Sequence, residues 1–385
     1  MQLRDSANPS VSTLSSRAFA FLYYGVFKVL GLSTWWCDLN KLMELELDVN
    51  FYNLEYEITF NQMYYNVILG VYMTYLNYNY FVYERGYFPK NIGLMADGAV
   101  KYCQGIALES YWIVLMIYMF KQHVHVNILN RMTGIDTKLL EVSGQKVKNG
   151  FMIYFIFLFH FSMTIALIVL KAIDLNDKPY EQWFVTVMPS IFYSWMVLHY
   201  ILSLDFLLSR IRMTNKIAKN ANYGHKLCFG TVIKLSDQNK TINDEIESVT
   251  EVFDELADMV AGLAKFYELP LFLAALNALG IATFIIYYIH SWHQGDITIK
   301  SSELIISQIC LSTIIIEVLL LAFYYFTVQK KVKQTRNNLN LLMRRFYTKT
   351  KVEVTQLENL DEDSEYHQVK VHRDDLSLLY NGINM

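Results

Sequence analysis

The stretch LIISQICLSTIIIEVLLLAFYYFT, Leu304 to Thr327, decides the fold. Its one formal charge, Glu317, sits among isoleucines and leucines. The run is as long as a helix needs to cross a hydrocarbon core roughly 30 Å thick, about 20 predominantly apolar residues. Five more segments of this kind precede it: Gln62 to Tyr83, Leu94 to Phe120, Phe151 to Leu170, Phe184 to Leu204 and Leu269 to Ile289. Inside a bilayer each backbone polar group needs a partner within its own segment, so such runs fold as helices. The sequence therefore predicts an all-α fold, a polytopic membrane helical bundle with six transmembrane helices. Composition agrees, with 54% hydrophobic residues, 18% charged residues and a mean hydropathy of +0.21, against about 25% charged residues in a soluble domain.

Orientation follows from the basic residues. Lys121, Arg131, Lys138, Lys146 and Lys148 follow the second segment, and Arg210, Arg212, Lys216, Lys219, Lys226, Lys234, Lys240 and Lys265 follow the fourth. Lys330, Lys331, Lys333 and Arg336 open the tail, whereas the other connections hold few cations. By the positive-inside rule both termini and the two large loops are expected in the cytoplasm of a multi-pass cell-membrane protein. Three parts result. Residues 1–61 form a cytoplasmic N-terminal segment, 62–327 the transmembrane domain with a cytoplasmic stalk helix at 244–268, and 328–385 a cytoplasmic tail. Phe19 to Leu32 reads as an interfacial amphipathic helix, because Gly25 and Lys28 interrupt a short apolar run and no cleavage site follows.

The stalk has the clearest pattern outside the membrane. Ile246, Val249, Phe253, Leu256, Val260, Leu263 and Tyr267 recur at alternating spacings of three and four, which places them on one stripe of a helix running into the fifth span. Such a stripe packs either within the chain or against another subunit, and its length favours an assembly helix.

No G-x-S-x-G, H-E-x-x-H, P-loop or G-x-G-x-x-G motif occurs, and the four cysteines are far apart with no C-x-x-C. No enzyme activity, cofactor or metal site is expected, and a net charge of -3 offers nothing to nucleic acid. His123 and His125, two residues apart, are expected to be solvated at the membrane edge, and Asp205 to reach water at a helix end. Ionisable groups inside a membrane are costly and become functional candidates by default. Glu317 is either a satisfied hydrogen-bonding carboxyl or part of an ion path or gate. Glu109 and His160 are either structural or ligand-contacting. Tyr102, Trp112, Tyr193 and Tyr287 lie deeper than an interfacial belt requires and are candidates to line a cavity for a small, mostly apolar ligand.

Several stretches carry a family resemblance: Phe27-Lys28-Val29-Leu30-Gly31-Leu32, Asn127-Ile128-Leu129-Asn130-Arg131 with Ile135-Asp136, the Val252 to Tyr267 helix, and the basic run Val328 to Arg345. In these and in the order of its parts the chain resembles the insect gustatory receptors of the insect chemoreceptor superfamily. The resemblance implies a ligand-gated cation channel opened by small-molecule tastants. It also implies a homo- or hetero-tetramer with other gustatory receptors, and a ligand pocket in the outer half of spans two to six. The family has seven helices, the last carrying Thr-Tyr, five hydrophobic residues and Gln-Phe, and lining the pore. The run from Asp374 to Met385 lacks that motif, so the expectation is a chain that does not conduct alone, with a non-conducting or regulatory subunit as one alternative. A multi-pass solute transporter is the other, disfavoured by the absence of an internal repeat. A G-protein-coupled receptor would need an extracellular N-terminus.

Overall fold

All six apolar segments are helical. The computed structural model describes residues 11–33, 35–37, 56–58, 60–83, 94–145, 147, 151–174, 180–222, 235–294 and 301–360. In chain order the helices are α1 (Val11–Val29), α2 (Phe60–Tyr83), α3 (Leu94–Phe120), α4 (Gln122–Ser143), α5 (Phe151–Asp174), α6 (Tyr180–Asn222), α7 (Leu235–His293) and α8 (Ser301–Leu360). A short antiparallel pair, β1 (Trp35–Cys37) and β2 (Tyr56–Ile58), sets Trp35 opposite Ile58.

Among the described residues four helices are long and apolar enough to cross a membrane, with spans in Met152–Leu170, Val187–Ala221, Ile246–His293 and Leu304–Arg345. The other two predicted spans are also helical. The described apolar part of α3, Gly105–Phe120, is shorter, and α2 is rich in Tyr and Asn. As expected of such a helix, α2 turns polar groups toward protein, with Asn66 and Asn77 buried.

Three helices run far beyond a bilayer. At about 1.5 Å per residue, the 59 residues of α7 span about 90 Å, roughly three times a hydrocarbon core. Each long helix therefore has an apolar half and a polar half that projects. The stalk expected at 244–268 is the first half of α7 and continues unbroken through Tyr267 into the apolar part. One expectation is corrected. The fourth span does not end in a loop, because α6 continues to Asn222, so Arg210, Arg212, Lys216 and Lys219 are helical. Beyond Thr327 α8 continues to Leu360, so the segment expected as a tail begins as helix.

Helix α6 is the axle. Its apolar window is 94% buried, whereas those of α5, α7 and α8 are 22%, 11% and 6% buried. It packs against α2, α3, α4, α5, α7 and α8. The apolar α6 residues Phe192, Trp195, Met196, Leu202, Leu207 and Ile211 form the centre of the core. The other spanning helices turn bulky apolar side chains outward, such as Phe155 on α5, Leu279 on α7 and Leu319 on α8, as a lipid-facing surface requires.

Helix α1 lies against this core, burying Phe19, Tyr23 and Phe27 and exposing Phe21 and Val29. Phe19 meets Tyr154 and Phe157 of α5 edge-on, and Phe27 meets Trp195 of α6. The helix ends at Gly31, whose φ of 74° lets the Leu32 amide donate back to the Phe27 carbonyl at 2.9 Å. Asn66 of α2 donates to the Gly31 carbonyl at 2.9 Å, and a Cβ on Gly31 would lie 2.7 Å from the Asn66 Oδ1. The quoted Phe27 to Leu32 motif is thus the clasp between α1 and α2.

The stripe on α7 is covered by its own chain. Val249, Phe253, Leu256, Val260, Leu263 and Tyr267 are buried and Ile246 is partly buried, with α4, α6 and α8 packed against this helix. Of the two readings of the stripe, burial favours packing within the chain.

Candidate functional site

The polar groups of an apolar bundle must find one another, and three do so between α5, α6 and α8. Ser194 on α6 donates its hydroxyl hydrogen to Glu317 Oε1 on α8. The same Ser194 Oγ lies 3.1 Å from His160 Nε2 on α5, and His160 Nδ1 lies 3.7 Å from Glu317 Oε1. His160 is 8% exposed and Glu317 15%, by side chain. Trp195 stands edge-on to the His160 ring at 5.0 Å, and its Nε1 donates to Thr164 Oγ1 at 3.1 Å. Glu317 is therefore turned into the bundle, satisfied in part by a hydroxyl. The structure joins two residues that the sequence offers separately and adds a third, Ser194. A single serine in an apolar run is cheap to bury when it bonds backbone or a neighbour, so it gives no signal in the sequence.

The other sequence candidates fall elsewhere. Asn77 Nδ2 of α2 donates to the exposed Glu109 at 3.2 Å. Trp112 donates Nε1 to Thr74 Oγ1 of α2 at 2.8 Å and covers Gly70, where a Cβ would lie 2.5 Å from the indole. Both residues thus fasten α3 to α2. Tyr193 is buried and hydrogen-bonds the Ser110 hydroxyl of α3. Tyr287 is 54% exposed. The side chain of Tyr102 lies outside the described residues.

A second polar cluster lies where α1, α3, α4, α6 and α7 converge. Tyr267 OH and His199 Nδ1 are 2.7 Å apart, and the His199 ring stacks on His125 at 4.9 Å. Phe27 and Phe266 line the same cluster. The expectation that His125 is solvated is corrected, since only His123 is exposed. His125 shares a face with Ile128, Leu129 and Met132 of α4, which are buried. Burial pushes the His125 imidazole down to about 4, so it is neutral at physiological pH. His199 is an ionisable residue inside a span, and the rule that singles out Glu317 singles it out equally.

A third cluster ties the polar halves together. Arg210 Nε and Nη2 donate to Asp136 Oδ1 and Oδ2 at 3.0 Å and 2.6 Å, and Nη1 donates to the Phe206 carbonyl at 2.9 Å. Both partners are buried, so this two-pronged pair pins α4 to α6. Asp205 is buried as well and hydrogen-bonds Tyr324 of α8 instead of reaching water. On the surface Lys138 pairs with Glu251 and Glu255 of α7 at 3.0 Å and 3.5 Å, and the Glu251 bond raises the ammonium above its ordinary value.

Residues 20–360 match the family model of the 7tm chemosensory receptors. The chain belongs to that family. The match runs from within α1 to the last residue of α8, so the clasp at Gly31, the cluster at Glu317 and the Asp136–Arg210 pair all lie inside it. A chemosensory receptor has no need of a catalytic constellation, and among the described residues no group of three His, Cys, Asp or Glu is placed to hold a metal ion. No curated protein matches this receptor.

Proposed function

We propose that this chemosensory receptor detects small-molecule tastants as a subunit of a ligand-gated cation channel in the cell membrane. In this proposal its N-terminus is cytoplasmic and it assembles as a homo- or hetero-tetramer with other gustatory receptors. Family membership supports the chemosensory role, and the Phe27 to Leu32, Asn127 to Arg131 and Val328 to Arg345 stretches support the gustatory branch. The observation that carries the gating part is the contact of Glu317 with His160 and Ser194. A ligand that moves α5 or α6 changes the surroundings of the one carboxyl within the apolar run of α8, and that helix continues unbroken into the polar half. His160 and Tyr193, which point into the bundle, are the stronger ligand contacts. Glu109 and Trp112 support the α2 wall, and Tyr287 lies on the outer surface.

The test is whole-cell recording during perfusion with a tastant panel. The chain is expressed alone and with a complete gustatory receptor, and surface delivery and co-purification are measured in the same cells. A tastant-evoked cation current that the partner alone does not give is expected. A surface-delivered chain that neither co-purifies with the partner nor alters its currents contradicts the proposal.

A further inference from the structure

Among the described residues Glu317 faces few other titratable groups. From α5 it meets His160, and from α6 the hydroxyl of Ser194. On either side of Ser194, Tyr193 is bonded to Ser110 and His199 to Tyr267. Helix α7 has no ionisable side chain between Leu269 and Ile286, and on α8 the nearest are the Cys310 thiol and the Tyr324 phenol, each seven residues or about two turns away, the phenol being bonded to Asp205.

The proton count of this cluster follows from its geometry. Ser194 has one hydroxyl hydrogen, which goes to Glu317 Oε1, and so its oxygen accepts from His160 Nε2–H. A neutral imidazole protonated at Nε2 has a bare lone pair on Nδ1, and that atom lies 3.7 Å from Glu317 Oε1. With the carboxylate ionised, two electron-rich atoms would face each other where little water reaches. One further proton, on Nδ1 or on the carboxyl, removes the conflict and leaves the cluster without net charge. A second would leave an imidazolium beside a neutral carboxyl, an unbalanced charge in an apolar bundle.

We infer that His160, Ser194 and Glu317 form a binding site for a single exchangeable proton, and that this proton clamps α8 to α5 and α6. Release passes the proton to water and leaves Glu317 as an uncompensated carboxylate, which loosens its helix from the other two. Proton occupancy thus regulates how firmly the three helices are coupled.

Infrared difference spectra of the full chain in lipid nanodiscs, recorded across a pH series, read this directly. They need no ligand or current, so their outcome is independent of the receptor proposal. In the unmodified protein the Glu317 carboxyl band and the His160 ring band, assigned with Glu317→Gln and His160→Gln, are expected to change together with one midpoint. Glu317→Gln removes the counter-charge and is expected to move the His160 transition toward acid by about tenfold in proton concentration or more. Ser194→Ala removes only a hydroxyl and is expected to shift the shared midpoint in a folded protein. Two independent transitions, a His160 titration unmoved by Glu317→Gln, or a midpoint unmoved by Ser194→Ala would each overturn the inference.

Discussion

At the scale of single residues, the pair that most constrains this fold is Asp136 with Arg210. A guanidinium and a carboxylate withdrawn from water hold each other at high cost to either alone, so removing one partner from such a pair destabilises by about 3 to 5 kcal/mol. Arg210→Met is expected to lower the melting temperature of the detergent-solubilised protein and to reduce surface delivery. Arg210→Met combined with Asp136→Leu should recover much of that loss, since no unpaired charge remains. Singles as stable as the unmodified chain would show that the pair is not closed. This pair was not legible as a pair. Asp136 appears in the sequence as part of a loop motif and Arg210 as one of many cations that set orientation, and nothing in their spacing brings them together. Glu317 was legible, because a carboxyl amid isoleucines and leucines has to find a partner. Its partner Ser194 was not, because a hydroxyl disturbs an apolar run so little.

At the scale of elements, the periodic pattern of α7 marks one helix running into a span but does not name its partner. Spacing states that a face is apolar but not what covers it. Here α4, α6 and α8 cover it, with Arg336 of α8 placed over the Phe253 ring at 5.9 Å. Leu256→Ala should therefore cost about 2 to 5 kcal/mol by leaving a cavity in the chain's own core. Glu247→Ala, on the exposed side, should change stability by no more than about 0.5 kcal/mol. Thermal melts of both variants, with size measured in the same detergent, decide between packing and assembly. A Leu256→Ala protein that melts normally but loses its oligomers would assign the stripe to a partner chain. The lengths of α6 and α8 were not legible for a related reason. Polar, basic sequence after an apolar run looks like a loop, yet each helix continues because its lower half still has neighbours, as where Asn338 of α8 donates to Asn215 of α6 at 2.7 Å.

At the scale of the whole molecule, the arrangement is a buried α6 surrounded by helices whose apolar halves face outward and whose polar halves continue as a projecting bundle. The membrane class was legible in composition and in segment length. The central position of α6 was not, because the fourth span is no more apolar in kind than those around it. The account depends on α7 passing through the bilayer as one helix with its N-terminal half in the cytoplasm. Cysteine accessibility tests this most directly. In a background with Cys37, Cys103, Cys228 and Cys310 replaced by serine, single cysteines are placed at Glu247→Cys and His293→Cys, both exposed positions on α7. A membrane-impermeant maleimide applied to intact cells should label the cysteine at position 293, and that at 247 only after permeabilisation. Labelling of position 247 on intact cells would contradict the account.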